Sequence, residues 1–564
     1  MCGFFFDTKT KLSNDTLELI ASKLKHRGPD NTQIYTNENA HLSTVFSRLA
    51  IQDLSPLANQ PFFSRCKKHM IVYNGEIFNV NKLRKKLSKD INFETNSDTE
   101  ILLLNLIEFG IEATLNLIDG MFALIYTNFE KQETYAARDM FGIKPLYFSK
   151  NNSGGYSFAS EIKALTVNNK FDLNSSLIRE FIICGLIDHT KETFFNQIYR
   201  VEPGTYLVIK NDKLETKKWL ELNEQVHKFV SIDECVEILE STLNRSFIES
   251  LISDVPVNLM LSSGIDSNLI RSLYSDNGFN LKLHSVSWGD GEFSEIDKIS
   301  LSKDTLDNLT IHNFTAMQTM DLILDSYKIY DEPYTSAFSA VWPKVFKDIK
   351  ASYGSVVIDG NGADELFLGY KKYLNSSFHN FSNLALDGND VSLGFESYFI
   401  KNPKNLYEAN ALDISKLKLP RSLRFLDYSS MSAGVEARPI FLTKSIFQMT
   451  RNIPVDWMLN DGHTKYPLRK ILFDHGFGNL AFQEKQNIQY PQNTWMLKEW
   501  KSMIDQKISN IDNIMDHILD SKERNALKKV VNDFQNSIDM ASLSIIWRVF
   551  ITVLWFEKLL RENI

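Results

Sequence analysis

The chain has 564 residues, of which 43% are hydrophobic and 23% charged, with a net charge of −8. The length exceeds one compact core, so at least two domains are expected, and the composition excludes a disordered, collagen-like or coiled-coil protein. The acidic balance excludes the broad basic footprint of a nucleic-acid binder, and four scattered cysteines with no CxxC pair (Cys2, Cys66, Cys184 and Cys235) argue against a zinc site or a disulfide framework.

In chain order, the opening MCGFFFDTKTKLSND turns polar after six residues and lacks the apolar core of a secretory signal, which predicts a cytoplasmic, reduced protein. The first two hundred residues alternate short apolar runs with turn signals: STVFSRLAIQDLS, KHMIVYNGEIFN, GMFALIYTN, GGYSFASEI and GTYLVIK. Runs of this length, rich in Ile, Val, Tyr and Phe, predict mainly antiparallel sheet, interrupted by a helix over Asp98 to Phe109. The polar stretch 211–228 reads as a linker or crossover. Beyond it, Pro256 to Leu261 (PVNLML) and Ser355 to Ile358 (SVVI) read as buried parallel strands, each followed by a Gly-bearing turn and a helix, the order of an open α/β sheet. From about residue 370 the pattern is mostly helical. Leu543 to Leu560 is apolar, but Arg548, Glu557 and Lys558 interrupt it, which predicts a buried core helix and no membrane span.

Cys2 follows Met1 directly, and removal of Met1 makes it an N-terminal cysteine that carries its own base. A free α-amine has a pKa near 8, so part of it is neutral and can take the thiol proton to form thiolate. At the end of an apolar strand, the Asn74 amide and the Gly75 N–H can form an oxyanion hole. Arg48 can pair with a carboxylate through two prongs, while Glu76 and Asp98 can hold an ammonium. Cys66, Cys184 and Cys235 lack such neighbours and read as structural.

These residues, with His26 to Asp30, Gln60-Pro61, Asp119 to Ala123, Ala137 to Asp139, Gly142 to Tyr147 and Ser160-Glu161 in order, resemble the class II glutamine amidotransferase domain over about residues 2–205. The resemblance implies an antiparallel αββα sandwich of the N-terminal-nucleophile type. It also implies glutamine hydrolysis through a γ-glutamyl thioester on Cys2, with Asn74 and Gly75 stabilising the oxyanion. Arg48 and Asp98 would hold the amino-acid end, with Leu49, Ala50, Ile51, Gln52 and Glu76 assisting, and ammonia would leave through an internal tunnel.

In the second half, PVNLMLSSGIDS runs from a buried strand through a Ser/Gly turn into a helix, where small residues and the helix N-terminus favour phosphate; the GxxxxGK[ST] loop is absent. The segment resembles the SGGxDS loop of ATP pyrophosphatases, matching at Ser262, Gly264, Asp266 and Ser267, with Ser263 where that loop has its first Gly. A second strand end, Val357 to Phe367, carries Asp364, and Asp266 with Asp364 are candidate Mg²⁺ partners because magnesium takes carboxylates plus substrate phosphates. Lys485 can neutralise departing pyrophosphate.

With the segments Asp331 to Pro333, Gly434 to Leu442, Tyr466 to Arg469 and Glu484 to Gln486, this half resembles the synthetase domain of glutamine-hydrolysing asparagine synthetases. The division implied is a glutaminase domain at 2–210 and a doubly wound, parallel-sheet ATP-pyrophosphatase domain at 225–564 with a helical C-terminal part. ATP contacts fall at Leu261, Ser262, Gly264, Asp266, Ser267, Trp288, Asp359 and Gly360, and acceptor or intermediate contacts at Asn361 and Asp364. ATP and Mg²⁺ are the implied cofactors. Glutamine, ATP and a carboxylate acceptor, with aspartate favoured, are the implied partners, in a possible homodimer without nucleic acid or membrane. The product set is asparagine, AMP, pyrophosphate and glutamate, through a β-aspartyl-AMP.

Three positions depart from that family: Ser263, Asn361 (usually a glutamate) and Thr443 (usually an aspartate). An amide cannot act as a general base. The alternatives therefore stay open: an asparagine synthetase, the same mechanism on another carboxylate such as a uronic acid in surface polysaccharide biosynthesis, or a degraded paralogue acting as a glutaminase or a binding subunit.

Overall fold

The computed structural model describes residues 2–88, 91–220, 228–289, 293, 299, 308–374, 405–484, 490–509, 518–536 and 543–562. Among the described residues, twelve strands lie before residue 219: β1 (Cys2–Thr8), β2 (Asn31–Asn37), β3 (Leu42–Arg48), β4 (Phe62–Phe63), β5 (His69–Ile77), β6 (Gly120–Asn128), β7 (Glu133–Arg138), β8 (Tyr147–Lys150), β9 (Tyr156–Ala159), β10 (Ile198–Arg200), β11 (Thr205–Lys210) and β12 (Lys213–Lys218). They form two six-stranded antiparallel sheets, ordered β10-β8-β9-β1-β3-β2 and β12-β11-β7-β6-β5-β4.

β1 explains why these sheets stack. Its CGFFFDT sequence is buried on both faces. Phe4 and Phe6 point one way, into a core shared with Val72, Ala123, Ile125 and Leu207 of the second sheet. Phe5 points the other way, against Leu17 and Ile20 of the helix Asn14–Leu24. Strand side chains alternate, so one strand serves two cores, and each buried Phe contributes about 2 kcal/mol. On the far side, Ile71 and Tyr73 pack on Ile101, Leu102 and Leu106 of the helix Asp98–Leu117. The layers are helix, sheet, sheet, helix.

Two local readings differ from expectation. The helix starting at Asp98 continues to Leu117, broken at Gly110, whose φ of 78° only glycine adopts freely. Part of the predicted linker is strand β12, paired along its length with β11. It is an edge strand exposed at nearly every position, so it carries no apolar alternation to read.

The second half holds β13 (Val257–Met260), β14 (Lys282–Ser287), β15 (Leu309–Asn313), β16 (Val356–Asp359) and β17 (Glu436–Pro439), all parallel in the order β15-β14-β13-β16-β17. The chain builds outward from β13 to β15, then returns to β13's other side with β16. That reversal opens a crevice at the carboxyl ends of β13 and β16, the usual ligand position in such sheets.

The apolar C-terminal run is the helix Leu543–Glu562, packed in the core with Phe181 and Phe194. Its Arg548 is buried and donates to the Ile182 and Ile183 carbonyls near the end of the helix Ser175–Cys184. Among the described residues no helix is long and apolar enough to cross a membrane. Of the four cysteines, only Cys66 is exposed.

Candidate active sites

The first site lies where β1 begins. Cys2 is buried beside Asn74 of β5, and its backbone N donates to Asn74 Oδ1 at 2.9 Å. That bond orients the amide and leaves Asn74 Nδ2 buried with no hydrogen-bond partner. Such a donor is costly unless something else uses it. Gly75 faces Phe122 of β6, and a Cβ there would fall 2.2 Å from the Met121 carbonyl oxygen, so only glycine lets the two strands approach. Burial pushes the Cys2 thiol up, so it needs a base to ionise.

Around Cys2 sit the predicted glutamine contacts. Arg48, opposite Cys2 in the β1–β3 register, donates through Nη1 to the Ser55 carbonyl (2.8 Å) and Asn59 Oδ1 (2.7 Å), and through Nη2 to the Asp53 carbonyl. Its guanidinium thus orders the 52–55 loop. Leu49 and Ile51 are buried; the Ala50 N–H donates to Asp30 Oδ2 at 2.8 Å. Gln52 Nε2 donates to Glu76 Oε1. Asp98 accepts from the Tyr73 hydroxyl (2.9 Å) and the Ile77 N–H (3.1 Å), and burial raises its pKa. Burial also raises Glu76, against the pull of Arg438, whose Nη2 lies 3.3 Å from Glu76 Oε2.

The second site is a cavity of about 240 Å³ at the carboxyl ends of β13 and β16. Leu261, Ser262, Asp266, Ser267, Trp288, Asp359, Gly360, Asn361 and Asp364 line it. Gly264 caps the adjoining helix Ile265–Asp276. Ser267 Oγ accepts from the Ser262 N–H (3.0 Å), and the Asn268 amide donates to the Ser262 and Gly264 carbonyls, which fixes the loop. Trp288 packs on Phe338 with ring centroids 5.3 Å apart and the planes tilted by 50°, forming an aromatic wall.

Lys465 joins the two loops, and sequence reasoning missed it. Its Nζ lies 2.6 Å from Asp266 Oδ2 and 2.7 Å from Asp364 Oδ1. Burial opposes its charge, but the two carboxylates outweigh that and raise its pKa. The signal was faint: Lys465 immediately precedes the Tyr466 to Arg469 motif, with a left-handed φ of 56° that no propensity foretells. Gly369 lets this cluster form, since a Cβ there would sit 2.0 Å from Asp364 Oδ1.

Two of the three departures are structurally benign. Ser263 avoids the left-handed region, so its Cβ costs no backbone strain. Thr443 accepts from the Ile446 N–H as N-cap of the helix Lys444–Asn452, a task Thr and Asp share. Asn361 is the substantive one. Its N–H donates to Asp359 Oδ1 at 2.7 Å, and its Oδ1 accepts from Ser422 at 2.8 Å. Lys485 lies outside the described residues.

Comparison with known proteins gives two family matches: the glutamine amidotransferase domain over residues 1–220, and asparagine synthase over residues 239–530. The chain is 27% identical to Bacillus subtilis (strain 168) asparagine synthetase [glutamine-hydrolyzing] 1, covering 98% of this chain and 96% of that one. It is 28% identical to Escherichia coli (strain K12) asparagine synthetase B [glutamine-hydrolyzing], over 86% and 81%. Amidase chry2 of Gibberella zeae is also 28% identical, over 64% of this chain and 56% of its own length.

Proposed function

We propose, starting from a chain that belongs to the asparagine synthase family, that this glutamine-hydrolysing amidotransferase converts aspartate to asparagine with release of AMP and pyrophosphate. The glutaminase domain spans 2–210 and the synthetase domain 225–564. The observation that carries the reading is the single cavity lined by both loops, 261–267 and 359–364, with acidic groups from each.

In the first domain, Cys2 with Met1 removed uses its α-amine to accept the thiol proton. The thiolate attacks the side-chain amide carbon of glutamine. Asn74 Nδ2 and the Gly75 N–H stabilise the oxyanion, and the orphaned Asn74 donor supports that role. Ammonia leaves as the γ-glutamyl thioester forms, and water then releases glutamate. Arg48, Leu49, Ala50, Ile51, Gln52, Glu76 and Asp98 surround the amino-acid end.

In the second domain, ATP sits over Leu261 and Trp288 with its phosphates at Ser262, Gly264 and Ser267, beside the helix N-terminus. A Cβ on Gly264 would meet only Ser262 Oγ, at 3.2 Å, so the fold itself does not demand glycine there and room is left for phosphate. Asp266 and Asp364 converge from facing loops as hard oxygen donors of the kind magnesium takes; they would hold it, and it would supply charge neutralisation. Lys485 is assigned to the departing pyrophosphate. The acceptor carboxylate attacks the α-phosphate at the Asn361 side, and ammonia then displaces AMP from the acyl-adenylate.

Asn361 favours a second reading, the same chemistry on another carboxylate such as a uronic acid, because its amide cannot serve as a base. The test is pyrophosphate release with ATP, Mg²⁺, glutamine and either aspartate or a panel of carboxylates. A rise with aspartate is expected; a rise only with another carboxylate would replace the acceptor and keep the mechanism.

A further inference from the structure

The second domain meets the glutamine site at two points. At the first, Asp254, three residues before β13, bonds the loop carrying Ile51 to Asp53. Its N–H donates to the Ile51 carbonyl at 2.9 Å, and its Oδ2 accepts from the Asp53 N–H at 2.8 Å. At the second, Arg438 of β17 is wholly buried. Its Nε donates to Glu436 Oε1 at 2.5 Å, its Nη1 to the Ile252 carbonyl at 2.8 Å and to the Ser250 carbonyl, and its Nη2 faces Glu76 Oε2 at 3.3 Å. Glu76 in turn accepts from Gln52, on the same loop Asp254 holds.

We infer that Asp254 and Arg438 are positioning residues that clamp the glutamine pocket from the synthetase domain, so that glutamine affinity depends on the sheet that binds ATP. The inference rests on the reading of Gln52 and Glu76 as glutamine contacts. One clamp point precedes a strand that lines the cavity and the other lies on the strand beside one that does. Asp254 leads into β13, which ends at Met260, one residue before Leu261 of the cavity, and Arg438 is in register with Ile358 of β16, one residue before Asp359. A charged bond at Arg438 fixes Glu76, and a neutral N–H donor to Asp254 fixes the loop. Neither group touches substrate.

The test is the glutamine KM of pyrophosphate release in the full-length protein, with ammonia-driven release as the internal control. Arg438→Met should raise the glutamine KM about tenfold or more, and Asp254→Ala about threefold to tenfold. Ammonia-driven rates should stay within about twofold of the parent, since neither bond is lost from the cavity. Arg438→Lys should recover part of the loss. Asp254 is exposed, so its variant decides the matter if Arg438→Met fails to fold. A glutamine KM unchanged in Asp254→Ala and in both Arg438 variants would overturn the clamp, as would parallel loss of glutamine- and ammonia-driven rates. Glu76→Gln separates the two readings: an unchanged KM there overturns Glu76 as a glutamine contact, whereas a raised KM there with neutral clamp variants overturns only the clamp.

Discussion

At the Cys2 end, polar groups are held in place by protein partners: Asn74 by the Cys2 backbone, Asp98 by Tyr73 and Ile77, Arg48 by three carbonyls and Asn59. At the cleft end, two loops face each other and Asp266 and Asp364 share one ammonium, Lys465. In the antiparallel sandwich, strands β1, β3 and β5 supply side chains in fixed register, and Asp254 and Arg438 of the other domain brace them. The parallel sheet offers strand-end loops, and these two meet through charge, with Asp266 on one and Asp364 on the other. One site is built before its ligand arrives, and the other is balanced so that a ligand can replace an internal partner.

The sharpest way to break that comparison is to remove one site and watch the other. Cys2→Ala should lower glutamine-driven synthesis by about four orders of magnitude, since no other nucleophile is in place, while ammonia-driven pyrophosphate release continues. Loss of both would mean the sites are not separable. Asp364→Asn is the mirror image. Synthesis from either nitrogen source should fall by about a hundredfold or more as phosphate charge goes uncompensated, with glutamate release from glutamine persisting.

Lys465→Met tests the balance itself. The substitution leaves Asp266 and Asp364 facing each other without their shared cation, which should lower stability by about 3 kcal/mol in urea unfolding without metal. Millimolar Mg²⁺ should restore part of that loss, and restore more than it adds to the parent protein. If Mg²⁺ helps both equally, the carboxylates are not held ready for a cation.

How far the sequence carried this reading follows from the range of each signal. Apolar alternation and glycine turns are local, so β3, β5, β6, β9, β11, β13 and β16 were legible, as were the loops after β13 and β16. Their meeting in one cavity followed from the α/β order. What escaped depends on distant partners. Lys465 reaches Asp266 across 199 residues and carries no local pattern, while Arg438 lies in the Gly434 to Leu442 motif but reaches Glu76 from the other domain, a partner no local signal names. Strand β12 escaped for another reason: a solvated edge strand has no buried face, so its sequence is that of a linker.

Acid should separate the two halves by a smaller margin. His284 of β14 is wholly buried, with Nε2 3.2 Å from Asn258 Oδ1 and Nδ1 3.2 Å from His312 Nε2. The Asn258 amide nitrogen donates to the Tyr353 and Val356 carbonyls, so its oxygen must accept, and the tautomer inferred from these bonds puts the His284 proton on Nε2. Its Nδ1 then accepts from the His312 N–H, and a second proton would set two donors face to face. Burial, with His312 and Lys282 adding to it, pushes the His284 pKa down to about 3. A lowered folded-state pKa gives stability that is present above the unfolded value near 6.5 and lost as pH falls below it, about 2 kcal/mol between pH 7 and 5. In the sandwich, Asp7 of β1 works the other way. Burial raises its pKa, so its contribution is full below the unfolded value and declines as pH rises. Amide exchange, corrected for its intrinsic pH dependence, should therefore show β13 to β15 losing protection at pH 5 while β1, β3 and β9 hold. His284→Gln should lose less stability than the parent over the same interval. Parallel pH profiles for parent and variant would remove the histidine pair as the cause and leave the two sheets equally sensitive to acid.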